Sequence, residues 1–136
     1  MTNSQSDMWS PKITQAPTIP PVELMKQQAS ALVNYTHGLV TADVTVKAYP
    51  EKLGSLFSSP QEPYFEATFW LGVPTLDYRF LLLTARYGLE VWPVLISPSG
   101  QDSVEVPDQP AFETALRALL SSERTTKIVN TLMAHA

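Results

Sequence analysis

The stretch DYRFLLLTARYG, residues 77–88, decides the fold. A strand in a sheet covered on one side alternates apolar and polar residues, because successive side chains point to opposite faces. Here both alternating sets are mostly apolar. The sets are Tyr78, Phe80, Leu82 and Thr84, and Leu81, Leu83, Ala85 and Tyr87. We therefore predict a strand that needs cover on both of its faces.

Three further segments around this stretch read as strands. Residues 39–49 and 64–73 alternate apolar with polar side chains, and residues 89–97 form another mostly apolar run. Pro93 lies within that last run, and proline cannot donate a ladder hydrogen bond, so the fourth strand is predicted to be at an edge or bulged. Residues 104–106 can add a short further strand.

Helical patterns lie on either side of these strands. Residues 20–38 place apolar side chains at helical spacing and end at Gly38, which can take the left-handed conformation that closes a helix. Asp108 is suited to cap a second helix, and the pair Ser121–Ser122 to cap a third. The apolar face of that third helix would be formed by Ile128, Val129, Leu132 and Met133.

This order of elements predicts the fold class and the domain. Strands joined by short turns pair as antiparallel neighbours. We therefore expect an α+β fold: a four-stranded antiparallel meander with one N-terminal and two C-terminal helices. A strongly bent sheet wrapped around the first helix is the alternative. The domain would span residues 20–136, after a disordered tail at 1–19.

The second face of the predicted sheet raises the functional question. It is polar in the first strand and becomes more apolar towards the fourth, where Trp92 lies. An uncovered patch of that kind usually means an interface, a groove or a covering segment. The cover could be another copy of the protein, a different partner, or this chain's own 50–63 loop and C-terminal helix.

Composition excludes several classes of function. The chain of 136 residues has no cysteine, a net charge of −4 and only nine basic residues, which are scattered singly. Disulfides, thiolate metal sites and cysteine nucleophiles are therefore absent, and a nucleic-acid partner is not expected. We expect neither a cofactor nor a metal site. No apolar run is long enough to span a bilayer and no secretory signal is visible, so we expect a cytoplasmic protein without a membrane partner.

Catalytic chemistry has little support in the sequence. His37 with Asp43 or Glu66 is the one carboxylate–histidine combination to consider, as part of a small hydrolase. A histidine in the last turn of a helix more often complements the helix dipole. His135, beside the C-terminus, is expected to be solvated. The sequence therefore favours a protein that is not an enzyme.

Aromatic and arginine side chains provide the candidate binding residues. Arg79 and Arg86 flank the third strand, where they could clamp an anionic ligand or pair with Glu66 and Glu90 on neighbouring strands. Aromatic residues and arginine often dominate protein interfaces. The predicted interface residues are Tyr64, Trp70, Arg79, Arg86 and Trp92.

Three blocks of the sequence resemble a group of small uncharacterised bacterial single-domain proteins. The blocks are PPVELMKQQASALVNYTHGLVTADV, YRFLLLTARYGLEVWPVLI and LLSSERTTKIVNTLMAHA. The resemblance covers most of residues 20–135 and implies a bacterial single-domain protein, without implying an activity or ligand.

From the residues themselves we expect a non-enzymatic binding protein, such as an accessory, inhibitor or immunity-type protein. It would act through a partly apolar sheet face on a protein partner or as a homodimer. The alternative is a small-ligand-binding protein or the small hydrolase.

Overall fold

The structure is a computed structural model that describes residues 7–13, 19–50 and 62–136. Its helices are α1 (Pro21–Tyr35), α2 (Gln109–Leu120) and α3 (Glu123–Ala134). Its strands are β1 (Thr41–Tyr49), β2 (Tyr64–Val73), β3 (Tyr78–Gly88), β4 (Val94–Pro98) and β5 (Val104–Val106), with a 3-10 turn at Pro74–Leu76 between β2 and β3.

The five strands form one antiparallel meander in the order β1-β2-β3-β4-β5. This confirms the predicted α+β class with one N-terminal and two C-terminal helices. The predicted number of four strands was wrong, because residues 104–106 pair with β4 as a fifth strand. In the predicted tail, residues 7–13 are described and 1–6 and 14–18 lie outside the described residues. Most of the predicted 50–63 loop, residues 51–61, also lies outside them.

Pro93 led to the prediction that the fourth strand lies at an edge of the sheet. That prediction was wrong. β4 begins at Val94, one residue after Pro93, and pairs with both β3 and β5. Because Pro93 precedes the strand, its missing N–H removes no hydrogen bond from the ladder. The edges of the described sheet are the short β5 and the much longer β1.

A β-bulge explains why both residue sets of β3 are apolar. Phe69 of β2 lies opposite Leu83, but the next residue, Trp70, lies opposite Leu81, so that Leu82 is an extra residue in β3. An extra residue reverses the alternation of side chains beyond it. Leu82 and Leu83 are consequently both buried, at 4% and 1% exposure. The prediction that β3 needs cover on both faces was therefore wrong.

All three helices pack on one face of the sheet and form a single core. Met25 of α1 and Phe112 of α2 are fully buried there, and Val129 of α3 packs against the same cluster. β2 contributes its apolar alternating side chains to this core, and β3 contributes apolar side chains from both sides of the bulge. These residues are Ala67, Phe69, Leu71, Leu82, Leu83, Ala85 and Tyr87, together with the partly buried Phe80 before the bulge.

A tight turn reverses the chain between α1 and β1. Gly38 has φ 79° and donates its N–H to the Val33 carbonyl at 3.0 Å, and His37 also has a positive φ of 54°. The buried Thr36 hydroxyl donates to the Val40 carbonyl at 2.9 Å and accepts from the Val40 N–H at 3.3 Å. Helix α1 ends earlier than predicted, and the predicted role of Gly38 is confirmed.

Side-chain caps begin both C-terminal helices, as predicted. The carboxylate of Asp108 accepts from the Ala111 N–H at 3.0 Å, and the hydroxyl of Ser122 accepts from the Thr125 N–H at 3.1 Å. Each cap satisfies one N–H that has no partner within the helix. The short Ser121–Ser122 connection thus joins the two helices on the core side of the sheet.

The burial of Tyr87 in this core makes the free energy of unfolding depend on pH, which can be measured. Burial raises the pKa of its phenol above the ordinary value of about 10, and a hydrogen bond with the Val22 backbone offsets part of that effect. The folded state therefore keeps the phenol proton to a higher pH than the unfolded state. Below about pH 10 the Tyr87 titration leaves the free energy of unfolding unchanged, and above it the free energy falls.

We expect Tyr87→Phe to remove this contribution. Urea unfolding at several pH values should give a profile that falls less steeply above about pH 10 in the variant than in the wild type. The comparison cancels the other tyrosines and the lysines, which titrate in both proteins. Parallel profiles in this range would contradict the prediction.

Candidate functional site

The sheet face opposite the helices, called the open face below, carries four of the five predicted interface residues. Tyr64 and Trp70 belong to β2, and Arg79 and Arg86 belong to β3. The three helices of the described residues direct their apolar side chains to the other face of the sheet. Together with two carboxylates, the four side chains form two clusters, each consisting of an aromatic ring, a guanidinium and a carboxylate.

The first cluster is centred on Trp70. The Arg79 guanidinium carbon lies 4.3 Å from the centroid of the indole ring, and a guanidinium nitrogen is 3.5 Å from a carboxylate oxygen of Asp43. The indole Nε1–H donates to the Thr45 hydroxyl at 3.1 Å. Asp43 lies directly opposite Trp70 in the register of β1 and β2, which brings all three strands into the cluster.

The second cluster is centred on Tyr64. The Arg86 guanidinium carbon lies 4.6 Å from the centroid of the phenol ring, and a guanidinium nitrogen is 3.2 Å from a carboxylate oxygen of Glu66. Tyr49 of β1 stacks on Tyr64 with 5.2 Å between centroids. Glu66, one of the two carboxylates predicted to pair with the arginines, pairs with Arg86, whereas Arg79 pairs with Asp43 across β2, which was not predicted.

These contacts orient the arginines more than they stabilise the fold. The side chains of Arg79 and Arg86 are 54% and 50% exposed. Exposed ion pairs contribute about 0–1 kcal/mol, and exposed cation–π contacts about 0.5–1 kcal/mol. Each guanidinium nevertheless contacts both a ring and a carboxylate, so it is partly positioned before any ligand arrives.

Trp92, the fifth predicted residue, lies apart from the other four. Its ring packs edge-on against that of Phe112 in α2, with 6.1 Å between centroids, and contacts the core cluster on the helix side. Trp92 precedes β4 and therefore does not take part in the alternation of that strand. The expectation that Trp70 and Trp92 share one face was therefore wrong.

The histidines do not form a catalytic arrangement in the described structure. His37 lies exposed in the turn after α1, and no hydrogen bond or ion pair within the described residues joins it to a carboxylate. His135 is exposed and its Nδ1 lies 2.8 Å from the Thr131 carbonyl in its own helix. Residues 7–13, 19–50 and 62–136 contain no group of three His, Cys, Asp or Glu side chains placed to hold a metal ion.

A cleft of about 190 Å³ lies on the other side of the sheet, between α1, the end of α2 and α3. Its floor is apolar and includes Phe69 and Leu82, and Gln28 and Thr125 are among its few polar residues. The Thr125 hydroxyl already donates to the Leu119 carbonyl at 2.7 Å. Ligand sites usually place several polar groups to fix orientation, and this cleft has few to offer.

Three members of the two clusters were not predicted as binding residues: Asp43, Thr45 and Tyr49. All three belong to the alternating set of β1 that is mostly polar, and the polarity of a set predicts that it faces away from the core. Joining them to Trp70 and Tyr64 requires the register of β1 against β2. The alternation predicts the face but not the register, because a slide by two residues keeps every side chain on its face.

Comparisons with known proteins add no relative. No family model, no curated protein and no solved structure matches the chain. The resemblance to small bacterial proteins therefore stays a prediction. Of the helices in the described residues, none has the length and apolar character needed to cross a bilayer.

Proposed function

We propose that this protein is a non-enzymatic binding protein whose open face docks a partner protein. The observation that carries the proposal is the pair of exposed clusters around Trp70 and Tyr64. Each presents a partly buried aromatic ring with a half-exposed guanidinium over it. Tryptophan, tyrosine and arginine are the residue types that most often provide the binding energy of protein interfaces.

The chemistry of the open face indicates what kind of partner it fits. Among the described residues, Arg79 and Arg86 each contact one carboxylate, at 3.5 Å and 3.2 Å, and a guanidinium has five N–H donors in all. These donors suit carboxylates or backbone carbonyls, and the rings suit aliphatic or aromatic side chains. We therefore propose a protein partner whose contact surface combines acidic and apolar residues. Such a role is compatible with an accessory, inhibitor or immunity-type protein.

The alternative functions have weaker support. A hydrolase using His37 would need a partner carboxylate, and no hydrogen bond or ion pair among the described residues joins His37 to one. A small-ligand-binding role would rest on the apolar cleft, where the Thr125 hydroxyl already donates to the Leu119 carbonyl. The open face combines exposure, orientation and interface chemistry, so a protein-binding role is the better supported one.

We expect Trp70→Ala to weaken partner binding by about tenfold or more, because truncating a central aromatic residue of an interface commonly costs over about 1.4 kcal/mol. The partner would be captured from extracts of the cells that make this protein, then purified and measured by titration calorimetry. Arg79→Ala should also weaken binding. The control is Leu89→Ala, which truncates an exposed leucine outside the sheet strands and should bind like the wild type.

The proposal has a clear contradicting outcome. A purified partner whose affinity is the same for the wild type and for both open-face variants would place the binding site elsewhere on the molecule. Melting temperatures of all variants should be measured alongside, since a misfolded variant would also lose binding. Trp70 is only partly buried, so its truncation should leave the fold intact.

A further inference from the structure

The outer edge of β1 is an unpaired strand edge in the described part of the chain. β1 is first in the sheet order and pairs with β2 on one side only. It is nine residues long and contains neither proline nor glycine. Proteins usually protect such edges, and a long regular edge is a site at which another strand can add to the sheet.

The sequence of β1 is self-complementary around Thr45. If an antiparallel β1 from a second copy lies alongside with Thr45 opposite Thr45, then Asp43 lies opposite Lys47 and Val44 lies opposite Val46. Directly opposite residues in an antiparallel pair share a face and contact each other. Opposite charges would meet twice on the open face, and valines would meet twice on the helix side.

Other registers lack this complementarity. Sliding one strand by two residues places Asp43 opposite Thr45 or Tyr49, and leaves Lys47 opposite a threonine. Sliding it by one residue turns the helix side of one copy towards the open face of the other. The register centred on Thr45 is therefore the one that matches both the charges and the apolar side chains.

The exposure of β1 fits an edge that lacks its neighbour. Val46 is 46% exposed although it belongs to the apolar set of the strand, and Ala48 of the same set is also exposed. A lysine on an edge strand ordinarily discourages pairing. Here Lys47, which also has a contact within its own chain, would lie beside Asp43 of the second copy. In this register Lys47 would therefore form a cross-strand charge pair and would not oppose the pairing of the two edges.

We propose that two copies of this protein pair through the outer edges of β1, in the register centred on Thr45. The two five-stranded sheets then become one continuous sheet, with the α1, α2 and α3 helices of both copies on one side and both open faces on the other. The two Trp70 clusters would flank the twofold axis, so one dimer could engage two partner surfaces. The pairing itself does not depend on what the open face binds.

The size of this interface sets its expected strength. One strand from each copy buries an area at or below the lower limit of stable interfaces, which is about 1,200 Å². The dimer should therefore dissociate on dilution. Sedimentation analysis over a range of concentrations should show a reversible monomer–dimer equilibrium. A wild type that stays monomeric up to millimolar concentration would overturn the proposal.

Charge exchange tests the register. Asp43→Lys places lysine opposite Lys47 at both ends of the pairing, and Lys47→Asp places aspartate opposite Asp43, so each single variant should dimerise about tenfold more weakly. The double variant restores opposite charges and should recover dimerisation. Mixing the two single variants should yield a heterodimer, since their charges are then complementary. Failure of both the double variant and the mixture to recover dimerisation would overturn the register.

A cysteine at the twofold axis gives an independent readout. The natural chain contains no cysteine, so Thr45→Cys introduces a single thiol. Directly opposite Cα atoms in an antiparallel pair lie about 4.5–5.5 Å apart, within the range that a disulfide spans. Mild oxidation should crosslink Thr45→Cys, whereas Thr126→Cys, an exposed position on α3, should remain monomeric. Equal crosslinking of the two variants would contradict the proposal.

Discussion

Leu82→Asp should lower the free energy of unfolding by more than about 4 kcal/mol, because it buries a carboxylate that has no partner in an apolar core. Leu82 is 4% exposed and belongs to the core cluster. A chain of this size would lose more than about 12 °C in melting temperature, or fail to fold cooperatively. Thermal unfolding followed by circular dichroism measures the effect.

Leu81→Asp is the matched control, one residue away in the same strand. Leu81 lies opposite Trp70 and shares the open face with Arg79, so an aspartate there stays accessible to water and close to a guanidinium. Its cost should be within about 1 kcal/mol. A strand without the bulge would alternate regularly back from Leu83 and bury Leu81 in place of Leu82. A variant at Leu81 that is the less stable of the two would therefore contradict the bulge.

The second large effect concerns Trp70 and Trp92. Trp92→Ala should lower the free energy of unfolding by about 2–4 kcal/mol, because the ring packs against the fully buried Phe112 and its removal leaves a cavity. Trp70→Ala removes one hydrogen bond and one cation–π contact on an exposed face, and should cost about 1–2 kcal/mol. Urea unfolding of both variants gives the comparison.

In binding, the order of the two variants should be reversed, with Trp70→Ala showing the larger effect. Trp70→Ala should weaken attachment to a partner protein while the fold persists, whereas Trp92→Ala should affect attachment only as far as it unfolds the chain. If Trp92→Ala melted like the wild type, the packing of Trp92 on the helix side would be contradicted. If Trp70→Ala were the more destabilising variant, the clusters on the open face would be structural and not a binding surface.

The bulge shows why the alternation of residues in β3 misled the sequence analysis. Leu81, Leu82 and Leu83 are three identical residues, and identical residues carry no information about where an extra one interrupts the pairing. Only the opposing residues of β2 locate the interruption, because Phe69 and Trp70 take partners that are two positions apart. The two apolar sets of β3 were predicted to lie on two faces. Because of the bulge, most of their side chains lie on the same face of the sheet.

Trp92 shows a second limit of the sequence. The run at 89–97 reads as one strand, but the first positive φ after β3, at Val91, turns the chain before β4 begins. Trp92 therefore follows the geometry of a connection and points to α2. Alternation predicts the face of a residue only within a regular strand.

Local features were determined by the sequence alone. The caps at Asp108 and Ser122, the left-handed Gly38 and the alternation of β2 each depend on a few neighbouring residues, so their physical basis is visible in the sequence. The order of helix, strands and helices then led to the α+β class, since short connections favour antiparallel neighbours.

The tertiary structure alone decided which side chains meet. The clusters around Trp70 and Tyr64 join residues of three strands, and Trp70 lies 25 positions from its hydrogen-bond partner Thr45. Such contacts depend on strand register, on the bulge and on the helices all packing on the other face. Register is set by the summed packing of the whole sheet, and no short stretch of sequence encodes that sum.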